Sequence, residues 1–122
     1  MIVKTLRIVC DLFDAVPHIG AQLGTERYSR EFLPRLLAIR ESLSQGPNPE
    51  FGIPVVDALE WGFHAPIQPI LDRIIDAHGF DWRIVTGRRR RFPALAPGQP
   101  VPNEVLHLWQ QAMDRARVVD LA

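Results

Sequence analysis

Eleven prolines and eight glycines punctuate the chain's 122 residues, and their positions limit the length of every element it can build. Proline inside a helix removes a hydrogen bond and clashes with the preceding turn. Glycine weakens helix and strand alike because it has the most backbone freedom to lose. Pro17, Gly20 and Gly24 make residues 14–25 read as a loop. Gly46-Pro47 is a firm stop, and Gly46 to Gly52 reads as a second loop. Pro93, Pro97, Pro100 and Pro102 make 93–102 an extended, stiff connector. What lies between these breaks is short, and each piece is read on its own periodicity.

The helical signal is clearest over 66–78. Ile67, Ile70, Leu71, Ile74 and Ile75 recur at helical spacing with Asp72, Arg73 and Asp76 opposite, and Gly79 ends the run. Thr25 is placed to cap a helix starting at Glu26. Pro34 then implies either a kink or a new helix with proline in its first turn. Leu33, Leu36, Leu37 and Leu43 line one side of 33–44. Residues 54–63 read as a short helix with Pro54 in its first turn. A final helix begins near Asn103, with Val105, Trp109, Ala112, Ala116 and Val119 as its apolar stripe, widened by Leu106 and Met113.

Two segments read as strand. Residues 2–10 hold the strand formers Ile2, Val3, Thr5, Ile8 and Val9 and are interrupted by Lys4 and Arg7. In the segment 80–92, Trp82, Ile84 and Thr86 alternate with Arg83 and Val85, and Gly87 supplies a turn, so it reads as a β-hairpin. The expected class is therefore α+β: a short N-terminal strand beside the hairpin, packed with three or four helices, helix predominating. Length and a hydrophobic content of 47% fit one small globular domain over 1–122. The connector 93–102 leads to its C-terminal helix.

The charge is balanced overall and strongly uneven locally. The net charge is zero, yet Arg88, Arg89, Arg90 and Arg91 are consecutive. Residues 41–82 hold seven acids against Arg73 alone. A concentrated guanidinium run attracts phosphates or acidic protein surfaces. Trp82 and Phe92 flank it and are the residue type on which bases stack. The competing reading pairs the run with Asp57, Glu60, Asp72 or Asp76 of the same chain. Consecutive arginines on a strand point to both faces, which suits an exposed edge.

Leu71-Asp-Arg-Ile-Ile75, Gly79-Phe80 and Val85-Thr-Gly-Arg-Arg-Arg-Arg-Phe-Pro93 together resemble a segment of family A DNA polymerases. There, too, a helix leads to a Gly-aromatic step and then an arginine-rich turn before proline. The resemblance spans less than a quarter of the chain. The polymerase's metal-binding aspartates and nucleotide-binding helix have no counterparts, so it implies at most a shared local helix-and-turn geometry.

His18, His64, His78 and His107 are too far apart in sequence to form a local metal-ligand pair. No metal or cofactor is expected. His107 shares a polar helix face with Gln111 and Asp114, and His78 falls at a helix C-terminus, where the dipole favours its charged form. A small phosphodiester-cleaving enzyme would need His64 or His78, Glu60 and one of the arginines together; nothing in the spacing forces that, and an enzyme is not the expected reading. The one cysteine, Cys10, lies in an apolar run and reads as a buried small hydrophobe. No signal peptide is apparent, and no window reaches the roughly 18 apolar residues of a membrane span. A cytoplasmic location is expected.

These readings converge on a small non-enzymatic interaction protein of inhibitor, immunity or adaptor type. Its binding residues would be Trp82, Arg83, Arg88, Arg89, Arg90, Arg91 and Phe92, and its partner a protein with an acidic surface. The alternative is a nucleic-acid-binding protein using the same arginines on phosphates. The C-terminal helix, with Trp109 and Met113, offers a second docking or dimerisation surface.

Overall fold

A first polar stripe organises the N-terminal helix. Lys4, Arg7, Asp11 and Asp14 recur at spacings of three, four and three, while Thr5, Leu6, Ile8, Val9, Cys10, Leu12 and Phe13 are all buried. The computed structural model of the chain describes residues 2–46, 52–79 and 101–118, and in it Ile2–Asp14 is helix α1. This overturns the strand expected over 2–10. Its β-branched residues fit either geometry, and α1 is covered on so many sides that only a narrow stripe stays polar. The helical period is nevertheless strong in α1, carried by the spacing of Lys4, Arg7, Asp11 and Asp14, and the β-branched residues obscured it.

The loop expected over 14–25 is also helical. The chain passes from α1 through Ala15 directly into α2, Val16–Leu23. Pro17 lies in its first turn, where the missing N–H has no intrahelical acceptor to lose. Val16 and Ile19 are buried. Gly24 ends α2 at φ 85°, a left-handed angle that favours glycine. Thr25 does not cap by its side chain: it is the first residue of α3, Thr25–Arg27, with Gly24 at the N-cap and no side-chain cap hydrogen bond.

A π-helical segment, Tyr28–Phe32, joins α3 to α4, Leu33–Ser44. Pro34 has no N–H, so the carbonyl one turn before it loses its helical partner. The helix takes up the mismatch just upstream, where the Leu33 N–H donates to the Tyr28 carbonyl five residues back. Of the two expectations for Pro34, the structure shows the second: Pro34 occupies the first turn of α4, which follows directly on the π segment. Leu36, Ile39 and Leu43 are buried, and Gly46 follows at φ 109°.

Helices α5, Gly52–Phe63, and α6, Gln68–Ala77, fall where the periodicity places them. Ile67, Ile70, Leu71, Ile74 and Ile75 are all buried. Asn103–Val118 forms α7. Its Val105, Leu108, Ala112 and Ala116 are buried, Trp109 and Met113 are half-buried, and Leu106 is 40% exposed. Val119 lies outside the described residues.

The helices close a ring. Helix α1 packs on α7, α7 on α4, α4 on α5, α5 on α6, and α6 returns to α1. There is no strand among the described residues. The segment 80–92, expected to be a hairpin, lies outside them, and the strand it was to accompany is helix. The α+β class therefore gives way to an all-helical one. None of the described helices is long and apolar enough to cross a membrane.

Gly62 marks the closest helix contact. A Cβ there would collide with Leu71 Cδ1 and lie 3.3 Å from Ile67 Cδ1, and both neighbours are fully buried. Gly62→Ala gains about 1 kcal/mol of helix propensity, against about 1–3 kcal/mol for overpacking. The expected outcome in urea unfolding is net destabilisation in the native background and stabilisation in a Leu71→Ala background. The same sign in both would show that the two side chains do not meet.

Candidate functional site

The residues that the sequence singles out for binding, Trp82, Arg83, Arg88, Arg89, Arg90, Arg91 and Phe92, lie outside the described residues. The described part shows how the rest of the chain uses its charges. Arg115 donates from Nε to both carboxylate oxygens of Asp14, each at 3.1 Å. Arg7 pairs with Glu104 at 3.4 Å, so both pairs tie α1 to α7. Arg27 pairs with Glu31 at 2.9 Å and Arg30 with Glu26 at 3.2 Å, at the four-residue spacing that joins neighbours on one helix face. Arg117 reaches Asp114 at 3.5 Å. Among the described residues, Arg40 and Arg73 make no ion pair and are exposed.

Of the acids considered as internal partners for the arginine run, Asp57 lies 3.7 Å from Arg35. Glu60 and Asp72 are half-buried and each has an interaction. Asp76 is exposed and pairs with no other described residue.

A cluster around Trp61 was not anticipated from the sequence. The Arg35 guanidinium sits 5.2 Å from the Trp61 ring centroid and that of Arg27 sits 5.7 Å away. Phe32 meets the same ring at 5.6 Å and 60°, and Tyr28 stacks on Phe32 at 6.3 Å. Arg27 pairs with the Glu31 carboxylate, while Arg35 donates from Nη1 to the Glu31 backbone carbonyl and has Asp57 3.7 Å from its Nε. The signal was present: Arg27, Glu31 and Arg35 are spaced by four, as are Asp57 and Trp61. What the spacing cannot give is that the two helical faces meet. The cluster joins the π segment, α4 and α5 through Trp61.

The histidines separate as the sequence indicates. His107 Nε2 bonds Gln111 Nε2 at 3.0 Å on the exposed face of α7. His64 is exposed and meets Phe63 edge-on at 5.0 Å. His78 caps the C-terminus of α6, and its Nε2 lies 2.5 Å from Asp11 Oδ2 on α1. The carboxylate that His78 meets is thus Asp11 and not Glu60. Lys4 Nζ approaches the same helix end, 3.8 Å from where a Cβ on Gly79 would lie. Two basic side chains therefore face the negative end of the α6 dipole. Among the described residues, no group of three or more His, Cys, Asp or Glu is placed to hold a metal.

Cys10 is buried, 5% exposed. Burial pushes its thiol above the usual range, against the opposing pull of the Arg115 charge. The thiolate is the reactive form, so the folded protein is expected to resist alkylation at Cys10 and to react once unfolded in urea. Stoichiometric labelling of the folded protein at the rate of a free thiol would overturn this. The folded state also keeps a proton that the unfolded chain releases. Stability is therefore expected to fall as pH rises past the ordinary thiol range near about 8.5, and Cys10→Ala should flatten that part of the profile.

The apolar stripe of α7 is spent on α1 and α4. The Trp109 indole donates to the Leu43 carbonyl at 2.9 Å, satisfying an acceptor in the last turn of α4. Trp109 and Met113 are thus half-buried against the core, while Leu106 of the same helix stays exposed. Compared with known proteins, no family model, no curated protein and no solved structure matches the chain.

Proposed function

We propose that this chain is a small non-enzymatic interaction protein, of inhibitor, immunity or adaptor type, whose arginine run Arg88–Arg91 meets the acidic surface of a partner protein. One observation carries the reading. Six arginines of the helical body, Arg7, Arg27, Arg30, Arg35, Arg115 and Arg117, sit beside carboxylates of their own chain, whereas residues 83–91 concentrate five arginines with no acid among them. Arg40 and Arg73 are the exceptions among the described arginines, so most of the body's guanidinium charge is matched locally or between helices, and the run is the densest positive stretch of the sequence. Electrostatic complementarity of this kind sets partner choice and association rate. The reading takes 1–122 as one domain acting in the cytoplasm, with buried Cys10 suited to a reducing compartment.

A second reading puts the same arginines on nucleic-acid phosphates, favoured by Trp82 and Phe92 beside them as stacking residues. The overall neutral charge disfavours it, because nucleic-acid binders are commonly basic. One double variant, Arg88→Glu with Arg90→Glu, separates the two. A pull-down from the source cells is expected to recover one dominant protein with the native chain and to lose it with the variant. On a polyanion column the native chain should elute at low salt. Tight retention that falls steeply with salt and vanishes in the variant, with no protein captured, would transfer the assignment to nucleic acid.

A further inference from the structure

We draw no further inference here: the strongest candidate, the open groove of about 490 Å³ between α4 and α7 lined by Leu37, Arg40, Glu41, Ser44, Met113 and Arg117, has mixed charge on its rim and nothing in the structure shows what covers it.

Discussion

Phe32→Ala is expected to cost about 3–5 kcal/mol of folding stability, a large fraction of what holds a domain of this size together. Phe32 is fully buried. It sits in the π segment, and its ring lies between Tyr28 and Trp61. Truncation removes the apolar area of a large side chain and opens a cavity between the π segment and α5. The cavity cannot close easily, since Trp61 is also held by the guanidinium groups of Arg27 and Arg35. The measurement is the urea midpoint at unchanged slope. Leu106→Ala, at an exposed position on α7, is the control and should stay within about 0.5 kcal/mol. A Phe32→Ala loss no larger than the control's would mean that the aromatic cluster is not formed.

Arg7→Pro is expected to cost about 3 kcal/mol or more. Arg7 is exposed in the interior of α1, so no core is lost with its side chain. The penalty comes from the backbone: the proline ring clashes with the preceding turn, and the N–H that bonds the carbonyl four residues back disappears. Loss of the exposed pair with Glu104 adds little, and Arg7→Ala measures that share alone. Arg7→Thr completes the test, because threonine favours a strand and slightly disfavours a helix. Helical α1 predicts the order Ala above Thr above Pro. A threonine variant more stable than alanine would restore the strand reading of 2–10.

That segment shows why part of the fold was legible and part was not. Over 66–78 burial follows the expected stripe, Ile67, Ile70, Leu71, Ile74 and Ile75, whereas in α4 Leu36 and Leu43 are buried as expected, Leu33 and Leu37 are half-buried, and Ile39, outside the expected stripe, is buried. What concealed the helical period of α1 was the strand preference of Ile2, Val3, Thr5, Ile8 and Val9. The period itself is as clear as that of α6, in Lys4, Arg7, Asp11 and Asp14 set against a buried face. Those four look like interruptions of a strand until their spacing is counted. Pro17 misled for a different reason. It marks a break in a helix interior and a beginning in a first turn, and only the bend at Ala15 tells which.

The candidate site divides the same way. The concentration of Arg88–Arg91 is a property of the sequence. Which carboxylates the arginines of the body meet is a property of the structure, since Asp14–Arg115 and Arg7–Glu104 join residues from opposite ends of the chain. His78 likewise needed the fold to find Asp11, 67 residues away in sequence.

By itself the sequence determined the stops at Gly46 and Gly79, the inward face of α6, and where positive charge accumulates. Each follows from local chemistry: proline and glycine geometry, the 3.6-residue period, and the order of charged residues. Only the tertiary structure decided that 2–14 is helix and that Trp61 gathers two arginines. It also decided that Val105, Leu108, Ala112 and Ala116 of α7 are buried in the core. Each of these depends on what surrounds a residue on sides its neighbours in sequence do not reach, because a closed ring of helices brings α7 against α1 across the length of the chain.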